Sequence, residues 1–156
     1  MAVPIVVPDA SVLLKWVLAS EDGRDADRAL LLRSAIVHEH IRALVPALWL
    51  YEVGNTVARR FPTHAAQWLT AMMKFGLEEA PSSERWLTTV LALTARYGAT
   101  FYDAAYHAVA LVYGGVFVTA DTSYVTLVQK EGAIVSLSEW HSPKSETKRN
   151  VKLSSE

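Results

Sequence analysis

V-P-I-V-V-P-D-A-S-V-L-L-K-W, residues Val3 to Trp16, passes from a β-branched run to an apolar helix across one carboxylate. Ile5, Val6 and Val7 form a short uninterrupted apolar stretch, the pattern of a strand covered on both faces. Ser11 is placed to cap a helix starting near Val12, because its hydroxyl can accept from a backbone N–H that the first turn leaves unpaired. Asp9 is therefore expected at the carboxyl end of a buried strand and beside a helix N-terminus. In open α/β sheets, ligands, phosphates and metal ions collect there.

The same pattern returns at V-F-V-T-A-D, where Val116 to Thr119 runs into Asp121. Between the two lie alternating helix and strand signals. An apolar stripe of Ala26, Ala29, Leu30, Leu32, Ile36 and Val37 predicts one helix, with Glu21, Asp22, Asp25 and Asp27 as dipole-favoured charge near its start. Ala43 to Val45 predicts a brief strand, with Pro46 opening the next helix. That helix carries Leu50, Gly54, Val57 and Phe61 on one side and Glu52, Asn55, Thr56 and Arg59 on the other, Glu52 lying about 200° from Leu50. Further helices are expected after Thr63, after Ser83 and from Phe101, with a weak edge strand at Leu77 to Ala80 and a last strand at Ala133 to Leu137. No hairpin-type turn joins the strands. The expected fold is α/β, a three-layer sandwich with a mainly parallel central sheet and helices on both faces.

The chain has 156 residues, 51% of them hydrophobic, which suits one domain with a single core. We assign that domain to residues 1–138 and a polar, mobile tail to 139–156. Cysteine is absent, which removes disulfides, zinc–thiolate sites and thiol nucleophiles and fits a cytoplasmic location. No signal peptide is read at the start, and His107 with Gly114-Gly115 breaks the longest uncharged stretch, so no membrane span is expected. A net charge of −1 lacks the basic footprint of a general nucleic-acid binder. Any action on nucleic acid must rest on local chemistry.

Four acids stand out by position: Asp9 and Asp121 end strands, Asp103 falls in the first turn of the Phe101 helix, and Glu52 sits on a polar stripe. Each alone has a plain structural role, as a helix cap or a solvated charge. Together, if the two strands are neighbours, the carboxylates converge; within about 6 Å they raise one another's pKa unless a cation neutralises them. Oxygen ligands without Cys or clustered His point to Mg²⁺ or Mn²⁺. Such a site suits phosphodiester hydrolysis, with Ser11 and Thr119 as polar support and Lys15, Arg59 and Arg60 as candidate phosphate contacts. A phosphatase with an aspartyl nucleophile is weakened by the lack of an acid two residues after Asp9. A phospho-receiver-like magnesium module lacks its lysine.

The segments V-V-P-D-A-S-V-L-L-K-W, L-V-P-A-L-W-L-Y-E-V-G-N-T, F-Y-D-A-A-Y-H-A-V-A-L and V-F-V-T-A-D-T-S-Y resemble the four acidic blocks of PIN-domain ribonucleases, in particular VapC-type toxins of toxin–antitoxin pairs. The resemblance runs from about Val3 to Leu137. It implies Asp9, Glu52, Asp103 and Asp121 as the catalytic, metal-holding acids, supported by Ser11, Asn55 and Thr119. It also implies a Mg²⁺- or Mn²⁺-dependent endoribonuclease acting on structured RNA, a cognate antitoxin partner and a homodimer; a PIN fold kept for housekeeping RNA processing or for binding alone is the alternative. One departure is visible: Thr122, Ser123 and Tyr124 follow Asp121 where many relatives have a further acid, which bears on a second metal position. Apolar helical surfaces around Leu13 to Leu18, Ala26 to Val37 and Trp68 to Met73 are the expected dimer and antitoxin contacts. His107 is read as a hydrogen-bonded core residue, and the tryptophans as packing.

Overall fold

The computed structural model describes residues 2–18 and 24–143. Its element order is β1 (Ile5–Pro8), α1 (Ala10–Val17), α2 (Ala26–Val37), β2 (Arg42–Pro46), α3 (Trp49–Arg60), α4 (Ala65–Phe75), β3 (Glu78–Ala80), α5 (Glu84–Tyr97), α6 (Phe101–Tyr113), β4 (Val116–Thr119), α7 (Thr122–Leu127) and β5 (Ile134–Ser136). All strand pairs are parallel, in the order β3-β2-β1-β4-β5. This is the expected α/β fold.

The order explains where the site lies. From β1 the chain steps outward through β2 to β3, then returns past β1 to β4 and steps the other way to β5. Right-handed crossovers put the helices of the first run on one face and those of the second on the other. Accordingly α1 packs on α2 and α3, and α3 on α4, while α5 packs on α6 and α6 covers β1, β2 and β4. The reversal falls between β1 and β4, and the crevice beyond the carboxyl ends of such a strand pair is the ligand site of doubly wound sheets.

Close packing holds that strand pair. Ala104, Ala105, Ala108 and Ala110 of α6 are fully buried, and their small side chains let the helix lie near the sheet. Gly114 ends α6 at φ 70°, a left-handed conformation that glycine adopts without penalty. At Gly115 a Cβ would stand 2.7 Å from Ile5 Cγ2 and 2.8 Å from the Ile5 carbonyl oxygen, so only glycine lets β4 enter beside β1. The register then pairs Val7 with Phe117 and Pro8 with Val118.

Several local expectations change. Asp9, not Ser11, is the N-cap of α1: it has extended backbone angles and its side chain accepts from the Val12 amide. Pro46 closes β2 opposite Ala80 instead of opening a helix. In α2 the buried face is Ala26, Ala29, Leu32 and Ala35, while Leu30 and Val37 are exposed. On the α1 face from Leu13 to Leu18, Leu13, Trp16 and Leu18 are buried in the core, and Leu14 and Val17 are half-buried. Trp140 is buried and its carbonyl accepts from Arg28 Nη1 at 2.9 Å, so packing continues past residue 138. Glu21, Asp22 and tail residues 144–156 lie outside the described residues. No described helix is long and apolar enough to cross a membrane.

Candidate active site

Asp9 anchors the crevice. Its Oδ2 accepts from Thr119 Oγ1 at 2.6 Å and its Oδ1 from Ser11 Oγ and, at 3.3 Å, the Val12 amide. The two hydroxyls are themselves acceptors: Ser11 Oγ takes the Ala120 amide at 3.1 Å and Thr119 Oγ1 takes the Asp121 amide at 3.0 Å. An amide can only donate, so each hydroxyl proton is committed to Asp9. Ser11 and Thr119 thus link the carboxylate of β1 to the turn that carries Asp121, across 110 residues of chain in the Thr119 bond. Burial outweighs these bonds, and the Asp9 carboxyl is pushed up to about 6 from an ordinary 3.8.

Asp121 caps α7. Its Oδ1 accepts from the Ser123 amide at 3.1 Å, the Ser123 hydroxyl at 2.6 Å and the Tyr124 amide at 3.2 Å, so the capping uses one oxygen of the pair. Asp103 lies in the first turn of α6, whose N-cap Thr100 accepts the Asp103 amide through Oγ1 at 3.1 Å. Glu52 lies in the first turn of α3, half-buried. Asp103 is the acid that ties the group together: its negative charge raises the pKa of Asp9 and of Glu52, and its own is raised by Asp121. Desolvation is the first cause of the upward shift in each of Asp9, Glu52 and Asp103. The structure therefore brings the four predicted acids into one electrostatic neighbourhood at the carboxyl edge of the sheet.

Tyr106 is a neighbour that the sequence reasoning missed. It stands three residues after Asp103, on the same side of α6, and is buried with its hydroxyl unpartnered. Glu52 Oε1 is likewise buried without a hydrogen-bond partner, yet the hydroxyl is near enough to favour the ionised Glu52 and to have its own pKa raised by burial and by that carboxylate. The i to i+3 spacing from Asp103 is the signal that finds it.

Among the described residues, no three Asp, Glu or His side chains form a ready-made metal cage. The donor set fits a hard cation all the same. Mg²⁺ keeps several waters and is usually held by one or two carboxylates, and half-buried Glu52, with an unpartnered oxygen and Asp103 near enough to interact with it, offers that.

The predicted basic residues divide. Lys15, buried, and Arg60 meet Ser11 around a groove of about 220 Å³ next to the Asp9 turn. Arg60 also lies over the Phe61 ring at 5.2 Å, and Arg59 is exposed one residue earlier on α3. Asn55 lies with Glu52 on the wall of a larger groove of about 630 Å³. His107 takes no part in the acidic group. Its Nε2 sits 2.9 Å from the Gly132 carbonyl and therefore carries the proton, so Nδ1 accepts from the Tyr124 hydroxyl at 3.0 Å, and burial lowers its pKa.

A doubly wound parallel sheet with carboxylates at its switch point defines a class, and comparison narrows it. The PIN domain profile matches residues 6–128, and the chain belongs to the PIN domain family. Among solved structures it is similar to PAE2754 from Pyrobaculum aerophilum, with 26% identity and TM-score 0.59 over 88% of this chain and 93% of that one. It is also similar in fold to a toxin–antitoxin complex from Klebsiella pneumoniae, at 17% identity and TM-score 0.61 over 85% and 97% of the two chains. A third similar fold is VapC20 of Mycobacterium tuberculosis, a sarcin-ricin loop cleaving toxin, at 16% identity and TM-score 0.57 over 79% and 96%. No curated protein matches.

Proposed function

We propose that this protein is a divalent-metal-dependent endoribonuclease, acting on structured RNA as the toxin of a toxin–antitoxin pair. The observation that carries the reading is the placement of Asp9 and Asp121 at the carboxyl ends of the paired strands β1 and β4, tied together through Thr119, with Asp103 near enough to both to interact electrostatically. Mutually repelling, partly desolvated carboxylates are relieved either by taking up a proton or by sharing a positive charge, and near neutral pH a bound cation relieves them all at once. Asp9, Glu52, Asp103 and Asp121 would hold Mg²⁺ or Mn²⁺ between them, and the ion would supply a lowered water pKa and charge to offset the leaving oxygen.

The chain's own residues have distinct parts. Ser11 and Thr119 hold Asp9 in one orientation and tie it to Asp121, so the two strand-end acids move as a unit. Glu52 and Asp103 close the other side of the acidic group from two helices. Lys15 and Arg60 flank the Asp9 turn and receive a neighbouring phosphate of the RNA, with Arg59 as a weaker outer contact. Asn55 orients the nucleotide next to Glu52. The cognate partner is an antitoxin that blocks this crevice, and the working form is a cytoplasmic homodimer. The likeness in fold to the toxins named above supports this reading.

Asp9→Asn and Asp121→Asn are each expected to lower Mn²⁺-dependent cleavage of a structured RNA by at least a hundredfold while circular dichroism stays unchanged. Mn²⁺ in hundredfold excess over its Kd should stabilise the parent by about 2.7 kcal/mol, and Asp9→Asn should lose most of that gain. An Asp121→Asn protein that cuts RNA like the parent sinks the assignment. Co-purification from the native host separates the two roles: a small bound antitoxin marks a toxin, and its absence a housekeeping nuclease.

A further inference from the structure

The larger groove beside the acids has two rings, Tyr51 and Tyr102, that the proposed chemistry does not use. It is lined by Leu48, Tyr51, Glu52 and Asn55 of α3 and its approach, and by Tyr102 of α6. Tyr51 is 77% exposed and Tyr102 61% exposed, which makes them two of the most solvent-open large rings among the described residues. They stand immediately before Glu52 and Asp103 respectively. Whatever places those two acids at the cleavage point places a tyrosine next to each.

Leaving two aromatic rings in water on adjacent walls of one groove forgoes burial of roughly 150–250 Å² per ring. The arrangement is compatible with packing partners supplied by a ligand. Glu52 on the groove wall and the acids behind it disfavour an anion, so the groove does not suit a phosphate. A flat, uncharged group with a polar edge suits it: rings offer stacking faces, and the Asn55 amide offers both a donor and an acceptor.

We infer that the groove of Tyr51, Tyr102 and Asn55 holds an unpaired nucleobase of the RNA, one nucleotide from the phosphate at the acids. This rests on the ribonuclease reading above and adds to it: the preferred substrate carries a single-stranded, splayed base at the cut, and paired RNA is disfavoured. Continuity supports a base over a protein segment, because Glu52 belongs to both the groove and the acidic group, so a bound strand passes from one to the other without leaving the surface.

The test is fluorescence anisotropy with a labelled single-stranded RNA hexamer and a blunt RNA duplex, in Ca²⁺ to limit cleavage. Tyr51→Ala and Tyr102→Ala should each weaken hexamer binding by about tenfold, the usual size of one lost base stack, and leave duplex binding within twofold. Tyr51→Phe and Tyr102→Phe should bind the hexamer like the parent, since the stacking face survives. Both positions are exposed, so the variants should melt like the parent. The inference is overturned if the alanine variants bind the hexamer normally, if the phenylalanine variants fall as far as alanine, if duplex binding falls equally, or if the substitutions only shift the oligomeric state in sedimentation. Because the readout is binding, it stands apart from Asp121→Asn cleavage. Failure of cleavage with intact tyrosine effects rejects the nuclease alone, and normal cleavage loss with no tyrosine effect rejects the groove alone.

Discussion

At the scale of single residues, Asp9 shows what burying a carboxylate costs in stability. Its folded pKa of about 6 lies above the ordinary 3.8, so between those pH values the native state binds the proton that the unfolded chain has lost. Stability from this group is therefore highest below pH 4, falls as pH rises through that window, and is lost above about 6. The penalty at neutral pH is on the order of 3 kcal/mol. Asn also caps helices well, so Asp9→Asn is expected to be more stable than the parent at pH 7 in urea melts, with the advantage shrinking toward pH 4. A variant less stable than the parent at both pH values would show that the hydrogen bonds from Ser11 and Thr119, not desolvation, dominate.

At the scale of elements, the β1–β4 pair is the part on which the crevice is built. Gly115→Ala is expected to cost about 1–3 kcal/mol by overpacking against Ile5, and to reduce cleavage by shifting Asp121 relative to Asp9; chemical denaturation checks the first and single-turnover assays the second. This pair was legible in the sequence because each strand is a β-branched run ending on a carboxylate, and such runs have little other use than a buried parallel strand. The caps were less legible. Asp9 and Ser11 are both good N-cap residues two positions apart, and only the Val12 bond to Asp9 separates them. The helix stripe of α2 misled for another reason: Leu30 and Val37 continue the apolar pattern but face outward, and pattern alone does not tell a core face from a surface left for a partner.

At the scale of the whole molecule, the acidic group was readable only as a hypothesis about strand order, since nothing local says that β1 neighbours β4. Tyr106 was hidden because a tyrosine in an alanine-rich helix looks like packing until its hydroxyl is found near Glu52. Trp140 escaped for the opposite reason, a lone aromatic in polar surroundings. Its burial beside the Arg28 bond ties the end of the described chain to α2. Trp140→Ala should cost about 3–5 kcal/mol, visible as a lower urea midpoint with an unchanged slope.

The bond from Thr119 to Asp9 joins the beginning of the chain to its last quarter. During synthesis the first strand and its acid emerge early, but the strand that completes the crevice arrives more than a hundred residues later, and long-range parallel pairing is slow. On the proposed nuclease reading, a polypeptide that stops before β4 is harmless to RNA. Fragments ending before Val116 are expected to cut nothing even with Mn²⁺ present, and a cleaving fragment of that length would overturn it. On that reading, the crevice is therefore assembled only once the strand that carries Thr119 has been made.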